Sequence, residues 1–309
     1  MTTSPTQDSS PFALDQPTAY ARWRESKLAS HPTRVEDLIV EVEEPRSLSA
    51  AEHQAILDRC QRANMAIYVS KLGDNPDKDI VRQLGAQFGL QHLDHNSGAD
   101  EDAITSIKIQ TDEVHAGYIP YTNRPIAWHT DGYYNPPDRQ IHGMVLHCVH
   151  PAATGGDNDL LDHELAYLLL RDLNPDYIRA LMHPEAMTIP ANRVDGEETR
   201  PAQPGPVFAI RPAGPLHMRY TDRKRNIVWR DDPLTREAVS NLKALLDGDL
   251  SQRFQARLEA GWGLICNNVL HTRSGFNDDE PPRLLYRARY YDRLAGTFAP
   301  PAGPAFPLP

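Results

Sequence analysis

Proline constrains this chain more than any other residue. Twenty-seven of its 309 residues are proline. Each fixes φ and withholds a backbone donor, so neither a helix interior nor a central strand runs through one undisturbed. This argues against a coiled coil or a long-helix bundle and favours many short elements joined by turns. Strand-like apolar segments fit that expectation at Met65 to Val69, Ile141 to Val149, Val207 to Arg211, His217 to Tyr220, Ile227 to Trp229, Leu264 to Val269 and Leu284 to Tyr291. Helical spacing is confined to a few places. Ser49 and Glu52 form a capping-box pattern ahead of a helix over about 50 to 63, and Ile80, Val81, Leu84 and Phe88 recur at helical spacing before Gly89. Asp162 and Pro233 suit the starts of two more. Strands with a few inserted helices, and no steady βαβ alternation, predict a mainly β chain with a sandwich or barrel-like core.

Residues 1–35 are rich in Ser, Thr, Pro and Gln and read as an N-terminal arm or loosely docked tail. No linker divides residues 36–299, which predict a single domain, and residues 300–309, half of them proline, predict an extended tail. No stretch approaches the roughly 18 to 20 consecutive apolar residues of a membrane span, and the N-terminus lacks a signal-peptide pattern. The formal charge of −10 argues against a nucleic-acid partner. Three cysteines, Cys60, Cys148 and Cys266, are too few and too widely separated for a disulfide framework or thiolate metal site, which suits the cytoplasm.

The chemistry centres on Trp128-His129-Thr130-Asp131. Residues two apart on an extended segment point the same way, so His129 and Asp131 can present an imidazole and a carboxylate to one point. A third ligand is expected from His271, at the end of Asn267-Asn268-Val269-Leu270-His271, where a buried strand should give way to a loop. Two histidines and one carboxylate leave metal positions open for substrate and oxygen, an arrangement of non-haem Fe(II) oxygenases. Farther on, Arg283, Leu285, Arg287 and Arg289 share one strand face by period-two alternation. They suit a solvated basic edge, or an arginine near the metal that grips a carboxylate co-substrate in a bidentate pair. 2-Oxoglutarate meets the second demand.

Trp128-His129-Thr130-Asp131, Thr154-Gly155-Gly156-Asp157-Asn158, Asn267-Asn268-Val269-Leu270-His271 and Arg283-Leu284-Leu285-Tyr286-Arg287 together resemble the Fe(II)/2-oxoglutarate-dependent dioxygenases of the taurine dioxygenase (TauD/TfdA) family, in order and spacing. The resemblance runs from about Leu38 to Arg293. It implies a double-stranded β-helix, or jelly roll, with inserted helices. It also implies Fe(II) bound by His129, Asp131 and His271, with 2-oxoglutarate and O2 as co-substrates and Arg283 as the co-substrate arginine. Asn158 stands where the family commonly has a co-substrate threonine, and its amide retains a donor for a carboxylate. Arg287 would bind the co-substrate or an anionic substrate, or support another residue. The implied reaction hydroxylates a small, anionic organic molecule, or cleaves it after hydroxylation, releasing succinate and CO2. Homo-oligomers occur in the resembling family.

Two other classes remain open at this point: a metal-dependent hydrolase using the same triad, and a non-catalytic jelly-roll binding protein. No GxSxG motif supports a serine nucleophile. Arg219 is a further substrate-binding candidate, and Tyr118 to Asn123 a lid candidate by position. His92, His95, His142, His147, His150 and His163 are expected to be structural or loop residues, Gly155-Gly156 an ordinary turn, and Arg223 to Arg225 a solvated hairpin tip.

Overall fold

The computed structural model describes residues 10–95, 100, 102–111, 118–194, 197–223 and 227–298. Its centre is a pair of sheets. The larger has six strands: β1 (Ile39–Val42), β2 (Met65–Ser70), β3 (Thr105–Ile107), β5 (Gly143–His150), β8 (Trp262–Cys266) and β10 (Leu284–Tyr290). The smaller has four: β4 (Ile126–His129), β6 (Asn158–Leu161), β7 (Phe254–Ala256) and β9 (Leu270–Arg273). Their lateral orders are β1-β2-β8-β5-β10-β3 and β7-β6-β9-β4, antiparallel except for the parallel β1–β2 pair. This is the jelly roll, mainly β with helical insertions.

Side-chain alternation builds three layers. Along β5, Met144, Leu146 and Cys148 face inward and meet Leu160, Phe254, Leu264 and Leu285 between the sheets. The alternate residues Val145 and Val149 face outward with Tyr286 and Ala288, against α2 (Ala50–Ala63) and α3 (Asp79–Gln87). On the far side, α4 (His163–Leu173), α5 (Pro175–Leu181) and α6 (Pro233–Asp247) bury Leu165, Ile178, Ala238 and Leu242 with Trp128, Leu161 and Leu270 of the smaller sheet.

Local signals account for most boundaries. The Ser49 hydroxyl accepts from the Glu52 N–H while the Glu52 carboxylate accepts from the Ser49 N–H, so α2 has its capping box. Gly89, at φ +78, stops the chain after α3. Asp162 and Asp232 cap α4 and α6.

Two expectations need correction, and one helix goes beyond them. The N-terminal region is not loosely docked from residue 10 onward: α1 (Pro17–Ser30) packs on the body, Phe12 is wholly buried, and Lys27 is sunk against Asp162 and Glu164. Its apolar anchors are single aromatic residues, Phe12, Tyr20 and Trp23, too sparse to show periodicity. The strand expected over Leu264 to Val269 ends at Cys266, because Asn268 turns into the left-handed region at φ +52. His271 therefore opens a new strand, β9, instead of ending the previous one. The short helix α5 was not anticipated, although its Asn174 cap and Pro175 are a recognisable start. Residues 300–309 lie outside the described residues.

Candidate metal centre and active site

β4 and β9 are neighbours, and their antiparallel register sets His129 directly opposite His271. The ring centroids stand 4.2 Å apart. Asp131 follows two residues after His129, as the extended geometry requires, and one ligand atom from each of the three lies within 4.8 Å of the others. Both imidazoles are oriented alike: Nδ1 of His129 lies 3.0 Å from the Ala127 carbonyl, and Nδ1 of His271 lies 3.0 Å from the Val269 carbonyl. A carbonyl only accepts, so each Nδ1 carries the proton and each Nε2 lone pair is left for a metal. Burial, then the neighbouring His129, pushes His271 down to about 4, keeping it neutral as a ligand must be. Burial would raise Asp131, but the Arg287 guanidinium holds its carboxyl well below the usual range. Two imidazole nitrogens and one carboxylate suit a divalent first-row metal with open positions.

The backbone around Asp131 is tightly packed. Gly132 has φ +67, and a Cβ there would stand 2.4 Å from Cγ1 of Ile141, so a side chain is excluded on two counts. The Arg287 guanidinium lies 3.2 Å from Oδ2 of Asp131.

A cleft of about 430 Å³, counting its open mouth, lies beside the triad and is lined by His129, His271, Asn158, Arg273, Arg283 and Arg287 among apolar Ile107, Ile126, Leu146 and Leu285. The structure thus brings the other expected metal and co-substrate residues, His129, His271, Asn158, Arg283 and Arg287, onto its wall, and Asp131 meets it through Arg287. The solvated basic edge is overturned: Arg283, Arg287 and Arg289 are 4, 9 and 2% exposed and face inward. Arg289 is neutralised by Asp94 and bonded to Tyr134. Arg283 differs. Among the described residues no carboxylate pairs with its guanidinium, its Nη1 is buried without a hydrogen-bond partner, and burial pushes its pKa down. A bare buried cation is costly, and an anion in the cleft would relieve it. Asn158 borders the same space, with one amide hydrogen donated to the Thr272 carbonyl at 2.7 Å and the other available. Gly155 and Gly156 form the expected turn at φ +73 and +77, and Gly156 packs beside Nε of Arg283.

Other candidates fall away. Arg219 is not free for a substrate: its guanidinium donates to the carbonyls of Tyr133, Met187 and Gln203 at 2.7, 2.9 and 2.7 Å. The carbonyls of Pro120, Thr122 and Arg124 all accept from Arg273, so Tyr118 to Asn123 are pinned as a wall and not a free lid. Sequence reasoning missed Arg273, although its position two residues after His271 was a usable signal. His92 bonds Asp292, His147 bonds Tyr68 and His163 meets the Leu216 carbonyl, all away from the triad. His142 lies before β5 and packs on His217. Arg223 bonds the Tyr133 hydroxyl, while Lys224 and Arg225 lie outside the described residues.

Fold and site together suit a non-haem metal enzyme. The profile of the family described as "Taurine catabolism dioxygenase TauD, TfdA family" matches residues 27–289, and the chain belongs to that family. It is an Fe(II)/2-oxoglutarate-dependent oxygenase, which sets aside the hydrolase and the non-catalytic binding protein. A uridine-5'-phosphate dioxygenase from Amycolatopsis sp is 30% identical over 197 residues, covering 60% of this chain and 67% of that protein. Similar solved structures include the non-haem iron oxygenase OrfP with Fe and alpha-ketoglutaric acid, at TM-score 0.57 and 17% identity over 89% of this chain and 91% of that one. Asparagine oxygenase with Fe(II), 3-hydroxyasparagine and succinate matches at TM-score 0.54 and 17% identity over 80% and 85%. Among the described residues, no helix is long and apolar enough to cross a membrane.

Proposed function

We propose that this oxygenase hydroxylates a small phosphate-bearing molecule of the nucleoside 5'-monophosphate class, using His129, Asp131 and His271 as its iron ligands. The observation that carries the site assignment is the convergence of those three donor atoms beside an inward-facing, unpaired Arg283. The resemblance to a uridine-5'-phosphate dioxygenase supports the substrate class. Iron, when bound there, would supply the oxidation: with O2, 2-oxoglutarate goes to succinate and CO2 with one oxygen atom kept in the succinate, and the other oxygen atom enters a substrate C–H bond.

The protein's own groups do the rest. Nε2 of each histidine and the Asp131 carboxylate would hold the metal. Arg283 receives the far carboxylate of 2-oxoglutarate in a charge-assisted pair, with the free Asn158 amide hydrogen beside it. Arg287 holds Asp131 in place, and its unpartnered Nε offers a donor to a substrate or co-substrate anion. Ile107, Leu146 and Leu285 keep the cleft apolar and limit water around the reacting groups.

The test is reconstitution with Fe(II) and 2-oxoglutarate under anaerobic conditions, followed by O2 and paired substrates: nucleoside 5'-monophosphates and the corresponding nucleosides. Succinate release and an oxygenated product should appear with the phosphates and fall steeply with the nucleosides. Equal turnover of both would overturn the phosphate assignment. Iron binding that survives Asp131→Ala and His271→Ala unchanged would overturn the ligand set.

A further inference from the structure

The β4–β9 ladder stops at His129 and His271, so the backbone of Asp131 has no strand partner on that side. The Asn268 side chain takes the place of one. Its Oδ1 accepts from the Asp131 N–H at 2.8 Å, and its Nδ2 donates to the Asp131 carbonyl at 3.0 Å and to the Ile141 carbonyl at 2.8 Å. A carboxamide carries the same donor and acceptor as a peptide group, and here it satisfies both main-chain groups of one residue. Asn268 is 2% exposed and held at φ +52, a conformation asparagine tolerates better than most residues. It also lies three residues before His271. One tight turn therefore carries one ligand and grips the backbone of another.

We infer that Asn268 is a positioning residue for the metal centre, fixing Asp131 relative to His271. The inference rests on the ligand assignment proposed above. Its neighbour Asn267 provides an internal contrast. Asn267 is equally buried, at 3%, but its side chain bonds Asn64, Thr297 and the Leu294 N–H, none of them a proposed ligand. Both asparagines stabilise the same turn, and only Asn268 touches a metal-binding residue.

The experiment compares Asn268→Gly with Asn267→Ala in the full chain, titrating the metal-free protein with Mn(II) and recording thermal melts. Glycine is at ease at positive φ, so the first substitution removes the amide without adding strain. Loss of a group that orients a metal ligand weakens affinity by roughly 10- to 100-fold. That shift is expected for Asn268→Gly, with more succinate released per product formed as the carboxylate loses its fixed position. Asn267→Ala should lower the melting temperature and leave the Mn(II) dissociation constant within about twofold, well below that range. Equal Mn(II) affinity in Asn268→Gly and wild type overturns the inference, as does equal weakening in both variants. If the glycine variant does not fold, Asn268→Ser, whose hydroxyl can keep one of the three bonds, is decided by the same measurement. Wild-type protein that binds no Mn(II), or binds it equally after Asp131→Ala, refutes the ligand assignment instead.

Discussion

Two buried clusters of charge in this molecule are built on opposite terms. Beside α1, Lys27 lies 2.5 Å from Asp162 and 2.8 Å from Glu164, and Arg293 lies 3.7 Å from Glu164, so every cation faces an acid. Burial would lower Lys27, but the two carboxylates raise it, and the charges of Lys27, Arg293, Asp162 and Glu164 balance within the cluster. In the cleft, among the described residues, no carboxylate pairs with Arg283 or Arg273: both guanidiniums lie over the Phe276 ring, and Arg273 donates to backbone carbonyls and keeps a stranded Nε. A cluster whose charges balance can only hold the fold together. One left with surplus positive charge is arranged for a ligand, and the difference separates structural arginines from binding ones more surely than burial does.

The largest expected effect lies at the triad. Asp131→Ala and His129→Ala should each reduce iron-dependent turnover to background while the circular dichroism stays native; retained turnover in either would remove that residue from the centre. Next comes the balanced cluster. Lys27→Met strands two buried carboxylates, a loss of about 3–5 kcal/mol, and should lower the melting temperature without changing the 2-oxoglutarate KM. A raised KM there would show that the two regions are not independent. Arg283→Ala should do the reverse. Losing a charge-assisted pair of about 3 kcal/mol raises the 2-oxoglutarate KM roughly 100-fold, with little change in melting temperature, and Arg283→Lys should recover part of it.

The unmutated protein offers a separate comparison through pH. His271, His142 and His147 are all pushed down to about 4 from 6.5, each chiefly by burial. Their unfolded forms bind protons first, so stability should decline as pH falls from about 6.5 towards 4. Below that, protonation of Asp162 adds to the loss, because its carboxyl is held low despite burial, chiefly by Lys27. A melting temperature that stays flat across this window would contradict the buried neutral histidines.

Much of this was legible in the residues. Alternation along Leu284 to Tyr291 placed three arginines on one face, and the two-residue step of His129 and Asp131 placed both ligands on another. What alternation does not reveal is which face points inward: a strand of arginines is usually solvated, and only the packing of the smaller sheet's Leu160 and Phe254 over the face that carries Leu285 turns it toward the cleft. Arg219 and Arg283 look alike in sequence. Three backbone carbonyls from distant segments satisfy one, and among the described residues Nη1 of the other has no partner. The docking of α1 was equally hidden, since it depends on Phe12 and Lys27 finding partners more than a hundred residues away.

Cys60, Cys148 and Cys266 are all buried, and burial pushes the thiols of Cys148 and Cys266 up to about 12. Sulfur reacts with peroxides mainly as the thiolate, a form almost absent here at neutral pH. A catalyst that handles O2 at its centre has thus shielded its own most oxidisable groups. Alkylating reagents should leave all three untouched until the protein is denatured, and idle turnover should age the enzyme through groups other than cysteine.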